Sequence, residues 1–305
     1  MVWQKTLARP VTFTGIGLHQ GRPATMTIFP AAVDTGISFV REDLTPRCQV
    51  SALYDKVRDT SRATTLGDGS AVFSTVEHLL AALRGIGVDN ALIQLEGPEV
   101  PIMDGSAAPF TELLLEAGLR PLAAPRAYIV VQRSFEYREG DQWMRVTPGQ
   151  PRISYTIDFP HPLIRRQRYS VTLDTVSFRR EIAPARTFGF LKEVEYLKSQ
   201  GLALGGSLEN ALVLSDDGVL NPGGLRFPEE FVRHKILDAM GDLALLGMPL
   251  LGRVEVGRGS HDFHLKFIRQ LMCRKGAWRL WVPPTYNREP RRSWSFTPAW
   301  EGAPA

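Results

Sequence analysis

The chain's chemistry-bearing residues include six histidines, His19, His78, His161, His234, His261 and His264. His78 directly follows Glu77 in "STVEHLLAAL", residues 74–83. A carboxylate beside an imidazole is how many zinc hydrolases set a base next to a metal ligand. The same letters have a plainer meaning. Ser74 with Glu77 three positions on, ahead of an apolar run, is a capping-box pattern, in which Glu77 only satisfies a backbone N–H. His78 falls in the first helical turn. There the positive end of the helix dipole favours the neutral imidazole that a metal needs. A half-buried core histidine fits the spacing equally well.

"FVRHKILDAMGDLALLG" holds a second set. His234 and Asp238 are four apart, so on a helix they share a face, one turn from each other. Their nitrogen and oxygen could then reach one ion at about 2.0–2.2 Å. Asp242 continues the stripe. Val232, Ile236, Met240 and Leu243 form the apolar face on another side. By itself this helix predicts a solvated face with an ordinary His–Asp pair, although Phe231 and Leu245 on the polar side resist that. Joined by His78, the pair makes a His2Asp set with an open fourth position, as catalytic zinc sites have. The H-E-x-x-H of metalloproteases is absent, because here Glu precedes His. In "GSHDFH", His261 follows Gly259 at a helix start. It is either a cap neighbour or a general acid oriented by Asp242. Thr187 in "ARTFGF" is either structural or an oxyanion donor. His161, between two prolines, and His19, after "GIGL", read as structural.

These side chains need elements to carry them. "PVTFTGIGLH" and "ATMTIFP" alternate around the turn signal "QGRP", which predicts a hairpin. "GIGLH" lacks the third glycine and the helix of a dinucleotide fingerprint. A helix "TVEHLLAALRG", a buried strand "VDNALIQLEG", a loop "EVPIMDGSAAPF" and a helix "FTELLLEAGL" follow. "RPLAAPR", residues 120–126, reads as a linker. The second half starts with a hairpin turning at "EGDQ", then strands "RISYTIDFP" and "QRYSVTL". Next come a helix "LKEVEYLKSQG", a strand "NALVLS" and a helix from Pro228 to Leu246. That helix has Pro228 first, Glu229 and Glu230 in its first turn and Gly247 beyond its end. "RVEVGRG" and "HDFHLKFIRQLM" close the series as strand and helix. Both halves predict an α+β fold, with no sequence repeat relating them.

A chain of 305 residues suggests about two domains. A net charge of +4 is too weak for a nucleic-acid binder. It suits an anionic small substrate or an anionic membrane surface. Cys48 and Cys273 stand alone, which argues against disulfides and a thiolate zinc site. Without a signal-like start or a long apolar run, a soluble cytoplasmic protein is expected. The segment 284–305 reads as a tail outside the domains, where Trp294, Phe296 and Trp300 beside Arg291 and Arg292 could touch a membrane.

The motifs "TGIGLHQG", "STVEHLLAAL", "GVDNALIQLEGPEVPIMDGSAAPF", "TIDFPHP", "ARTFGF" and "FVRHKILDAMGDLALLG" occur in order. In this combination, from about Lys5 to about Pro283, the chain resembles the UDP-3-O-acyl-N-acetylglucosamine deacetylases. The resemblance implies two similar α+β sandwiches, residues 1–124 and 125–283, with the active site between them. It implies zinc (Zn2+) as cofactor, held by His78, His234 and Asp238. It implies Glu77 as the base that activates water, His261 as general acid, Asp242 as the carboxylate holding it and Thr187 as the oxyanion donor. Lys235, Phe188 and Phe190 match the family's contacts to substrate, sugar and nucleotide. An insert at about 190–220 would form an acyl passage lined by Val194, Ala203, Ser207 and Val213. Arg258 would meet the diphosphate, although this chain reads Gly-Ser-His at 259–261 where the family more often has Ser-Gly-His. The implied reaction removes the N-acetyl group of UDP-3-O-(3-hydroxyacyl)-N-acetylglucosamine, the committed step of lipid A biosynthesis. A monomer with transient inner-membrane contact and no nucleic-acid partner is expected. The alternatives are another zinc amidase on the same scaffold, or a non-catalytic lipid- or nucleotide-binding protein.

Overall fold

A computed structural model describes residues 2–284. The aromatic residues singled out in the tail, Trp294, Phe296 and Trp300, lie outside the described residues. Two five-stranded sheets dominate the fold, and they share one strand order. The first contains β1 (Val11–Ile16), β2 (Pro23–Pro30), β3 (Ile37–Arg41), β4 (Gln49–Ser51) and β5 (Ala91–Glu96), arranged β1-β2-β5-β3-β4. The second contains β6 (Phe135–Glu139), β7 (Gln142–Thr147), β8 (Arg152–Phe159), β9 (Arg165–Thr172) and β10 (Arg253–Gly257), arranged β6-β7-β10-β8-β9. In each, one pairing is parallel, β3 with β5 and β8 with β10. Alternation explains the buried faces. Ala24, Met26 and Ile28 point inward from β2, and Ile153, Tyr155 and Ile157 from β8. The expected α+β fold in two similar halves is what forms. Strand order depends on alternation and turns rather than on residue identity, so two such halves need not show a sequence repeat.

Each half adds two helices around its central strand. These are α1 (Glu77–Ile86) and α2 (Ala108–Ala117) in the first, and α3 (Glu230–Ala244) and α4 (His261–Cys273) in the second. Helices α1 and α3 pack against each other across the two halves. The approach is close enough that a Cβ on Gly241 would lie 2.1 Å from the Glu77 carbonyl oxygen.

Three expectations need correction. Residues 120–126 are not a linker. Leu119–Pro125 is a strand antiparallel to Trp3–Leu7. That sheet has only two strands, so Pro121 and Pro125 cost no central ladder bond. Helix α3 starts at Glu230 rather than Pro228, because the Glu230 carboxylate reaches back to the Arg226 N–H at 2.6 Å. The loop before it therefore folds over the helix start. Nor is the His234–Asp238 stripe solvated. Helix α3 is covered by α1 on one side and by β8 and β9 on another, and His234, Asp238 and Asp242 are all buried. That also accounts for Phe231 and Leu245 on the stripe's side, since both are fully packed.

The insert is a small βαβ unit. Strands Phe188–Phe190 and Leu212–Leu214 pair in parallel, and the helix Leu191–Ser199 lies in the connection between them.

Candidate active site

Helix α1 has Val76 at its N-cap, in helical geometry and with no side-chain cap. Ser74 therefore does not cap it. Its backbone is engaged elsewhere, the Ser74 N–H donating to the Pro98 carbonyl at 2.8 Å and its carbonyl accepting from Val100 at 3.1 Å. Thr75 takes a left-handed φ of 58° and its hydroxyl donates to Glu99 at 3.0 Å, turning the chain sharply into the helix. Glu77 is thereby free of the capping box. Its Oε2 accepts the Thr64 N–H at 3.0 Å, outside its own helix. Burial pushes the Glu77 carboxyl up, while the imidazoles of His261 and His78 pull against that.

Across the helix crossing, His78, His234 and Asp238 bring one donor atom each to within 4.8 Å of one another, all three buried. Asp238 Oδ1 lies 3.2 Å from His234 Nε2 and 3.7 Å from His78 Nε2. The two rings meet edge-on, their centroids 4.9 Å apart. His234 Nδ1 faces the Ala185 carbonyl at 3.0 Å. A carbonyl only accepts, so Nδ1 carries a proton and Nε2 can turn its lone pair inward. The buried His78 Nδ1 has no hydrogen-bond partner among the described residues. Two imidazoles and a carboxylate converging in this way fit a divalent metal ion such as zinc.

Asp242, His261 and His264 make a second His–Asp group. Its carboxylate is already engaged at both oxygens. Oδ2 accepts from Nδ1 of both histidines at 2.8 Å, and Oδ1 from the Thr64 hydroxyl at 2.5 Å. A carboxylate so engaged orients its neighbours rather than waiting for an ion. Burial opposes the charge on Asp242, but His261 and the hydrogen bonds outweigh it and hold the carboxyl well below its usual range. For His261, burial works against the imidazolium, and Asp242 overrides it to raise the pKa to about 10. His261 Nε2 then stands 3.8 Å from Glu77 Oε1.

The His261 shift has a consequence for stability. Its folded pKa lies above the unfolded value of 6.5, so the folded state keeps a proton that the unfolded state loses. The stabilisation is complete below 6.5 and disappears as pH rises through about 10. Urea unfolding of metal-free protein between about pH 7 and 9.5 should show stability falling with pH, and His261→Gln should flatten that slope.

Of the remaining expected residues, Lys235 and Phe188 adjoin this centre, through Asp238 and His234 respectively. Lys235 Nζ pairs with Asp238 Oδ2 at 2.8 Å and sits 5.7 Å from the Phe188 ring centroid. Phe188 packs on Phe231 and Phe159, and Phe190 on Phe159 and His161, forming an aromatic wall. Thr187 is clamped between the halves. Its N–H donates to the Gly105 carbonyl at 2.8 Å, and its own carbonyl accepts from Leu212 at 2.8 Å. Gly105 must be glycine, with φ 83° and the Asn210 carbonyl oxygen 2.1 Å from where a Cβ would stand. Arg258 does not present an open cation, since its guanidinium pairs with Asp141 at 2.7 Å and Asp158 at 3.0 Å. Val194 lies on the insert helix, Ala203 and Ser207 in the loop after it, and Val213 on its second strand.

Arg186, beside Thr187, donates to the fully buried Glu230 at 2.8 Å, and Glu230 also accepts the Arg186 N–H. Glu230→Gln leaves a nearly buried guanidinium without its counter-charge. We expect a loss of about 2 kcal/mol in stability by denaturant unfolding, with a looser Thr187 segment.

His161 is structural, as expected. Its Nε2 meets the Ser215 carbonyl at 2.8 Å and its Nδ1 accepts the Leu163 N–H at 3.2 Å. His19 donates its backbone N–H to Glu99 at 2.8 Å. Thr64, Tyr155 and the Ala185 carbonyl enter the site without a sequence signal. His264 had one, lying three residues after His261 on the same helical face.

A buried glutamate and a carboxylate-held histidine, beside a His–His–Asp set where two α+β halves meet, are the equipment of a hydrolase. Comparison with known proteins gives this class a family. The family model described as UDP-3-O-acyl N-acetylglycosamine deacetylase matches residues 4–273. A UDP-3-O-acyl-N-acetylglucosamine deacetylase of Anaeromyxobacter sp. (strain Fw109-5) is 48% identical over 278 residues, covering 91% of each chain. One of Geobacter sp. (strain M21) is 47% identical over 290 residues, 94% of this chain and 95% of its own. One of Shewanella sp. (strain W3-18-1) is 45% identical over 284 residues, 92% of this chain and 93% of its own. The chain belongs to the UDP-3-O-acyl N-acetylglycosamine deacetylase family.

Proposed function

We infer that the protein hydrolyses the N-acetyl group of UDP-3-O-(3-hydroxyacyl)-N-acetylglucosamine to acetate and the free amine, the committed step of lipid A biosynthesis. One observation carries this beyond family membership. Glu77 and His261, from different halves, face each other at 3.8 Å beside the His78, His234 and Asp238 set.

In this reading His78, His234 and Asp238 hold zinc, which when bound supplies Lewis-acid polarisation and lowers the pKa of water. Glu77, with Oε2 tied to Thr64, uses Oε1 to take the proton of the attacking water. The Thr187 hydroxyl donates to the acetamide oxygen as charge builds there. Asp242 fixes His261 Nδ1, leaving Nε2 to hold a proton for the departing amine. Lys235, Phe188 and Phe190 contact the sugar and nucleotide. Arg258 turns from its two carboxylates to the diphosphate.

Val194, Ala203, Ser207 and Val213 line the acyl passage. The insert helix supports this, since none of its residues is buried although Leu191 is 46% and Tyr196 61% exposed. Such apolar surface has a use if an acyl chain covers it. The division into 1–124 and 125–283 is supported by each half pairing its own ends, Trp3–Leu7 with Leu119–Pro125 and Tyr128–Val131 with Trp278–Trp281. No helix among the described residues is long and apolar enough to cross a membrane. A cytoplasmic monomer touching the inner membrane only transiently fits a UDP-linked substrate with one acyl chain.

Metal analysis tests the proposal. We expect about one zinc per chain, with deacetylation lost on chelation and restored by zinc. Full activity in metal-free protein overturns the metal assignment. Equal turnover of UDP-N-acetylglucosamine with and without the 3-O-acyl group overturns the acyl passage.

A further inference from the structure

We propose that His264, anchored by Tyr155, is a positioning residue that shares Asp242 with His261 and sets how tightly His261 holds its proton. This rests on the reading of His261 as the group that protonates the leaving amine. His261 and His264 project from the same face of α4, three residues apart. Both place Nδ1 2.8 Å from the same oxygen, Asp242 Oδ2. A carboxylate oxygen only accepts, so each Nδ1 carries a hydrogen. The other Asp242 oxygen is occupied by the Thr64 hydroxyl at 2.5 Å.

His264 is itself held from behind. Its Nε2 lies 3.2 Å from the Tyr155 hydroxyl, which donates to the Gly259 carbonyl at 2.9 Å. Both side chains are buried, and a Cβ on Gly259 would stand 2.6 Å from His264 Nε2 and 2.7 Å from the Tyr155 oxygen. The pair therefore fills the space under the loop that leads into His261. It connects β8, that loop and α3 through one carboxylate.

Two N–H groups on one oxygen compete for its charge. The His264 bond draws electron density from Asp242 Oδ2 and weakens its pull on the His261 imidazolium. Without it, His261 holds its proton more tightly. The other groups facing His261 are Glu77 Oε1 at 3.8 Å on α1, the Thr64 hydroxyl at 3.3 Å and, by charge, Asp238 on α3. A substitution at 264 alters none of them directly. A side chain that only packed would lower stability and leave the His261 titration in place.

Two amides separate the alternatives. His264→Asn puts an N–H where Nδ1 stood, keeping the Asp242 bond and losing Tyr155. His264→Gln puts its amide near Nε2, keeping Tyr155 and losing Asp242. The readouts are the NMR titration of the His261 imidazole and the alkaline limb of kcat/KM in zinc-loaded protein. His264→Gln should move both upward by about half to one pH unit, and His264→Asn should leave them at wild-type values. Identical behaviour of the two variants, or an unmoved titration in both, overturns the proposal. So does a wild-type His264 whose Nδ1 carries no proton, which needs no variant. An inactive wild-type enzyme would count against the deacetylase reading alone, because the imidazole titration still reports on the shared carboxylate.

Discussion

Glu77→Gln should retain its metal and lose about a hundred- to ten-thousand-fold in kcat, the usual worth of a positioned general base. The prediction follows from how the two carboxylate oxygens are used. Oε2 is taken by the Thr64 N–H at 3.0 Å, and Oε1 faces His261 Nε2 at 3.8 Å. Glutamine has the same shape and can still accept from Thr64 through its amide oxygen. What it loses is the second oxygen and with it the capacity to accept a proton. His78, the next residue, keeps its place on α1, so metal content should stay at the wild-type level. KM should change little, because the substitution removes an interaction made in the transition state rather than a grip on the ground state. Kinetics on the zinc-loaded variant with metal counted in the same sample is the decisive measurement. Near-normal turnover would remove Glu77 from the role of base. Loss of metal with activity would move it to the ligand set.

Much of this centre can be found from residue types and spacing. A histidine and an aspartate four apart, and a histidine after a glutamate at a helix start, are patterns with definite geometry in a helix. What fails is whatever depends on a partner from elsewhere in the chain. The helical wheel of residues 230–244 marks one side as polar, but it has no knowledge of α1, which arrives from the other half and covers that side. The capping box at Ser74 is a correct local pattern that a bridge between Ser74 and Glu99 overrides. Pro- and Ala-rich text at 120–126 suits a linker and equally suits a strand with one neighbour. Backbone groups such as the Thr64 N–H and the Ala185 carbonyl leave no trace in the letters at all, yet they decide which oxygen of Glu77 is free and which nitrogen of His234 faces inward. The sharing of Asp242 by two histidines needed both helices in place before it could be seen.

Gly241→Ala should be among the most damaging single changes, although the local rule says otherwise. Alanine in place of glycine inside a helix is worth roughly 1 kcal/mol in propensity. Here the added Cβ would stand 2.1 Å from the Glu77 carbonyl oxygen, 2.7 Å from its carbon and 2.8 Å from its Cα. All three are backbone atoms in the first turn of α1, so no side chain can rotate away and the helices must part. Overpacking of this kind costs typically about 1–3 kcal/mol, which outweighs the gain in propensity. Function should suffer more than stability. The residue pushed back is Glu77, and His78 moves with it, while His234 and Asp238 stay on α3. A shift of about 1 Å between reacting groups can cost about a hundredfold in rate, and a misplaced ligand loosens the metal as well. We therefore expect a lower Tm, zinc affinity down by at least about tenfold in a competitive chelator titration and kcat/KM down by at least about a hundredfold. Gly223→Ala, where a Cβ would meet nothing within 4 Å, is the matched control and should leave zinc affinity and kcat/KM unchanged. If Gly241→Ala instead bound zinc and turned over normally, the close crossing of α1 and α3 would not be what brings the base and the ligands together.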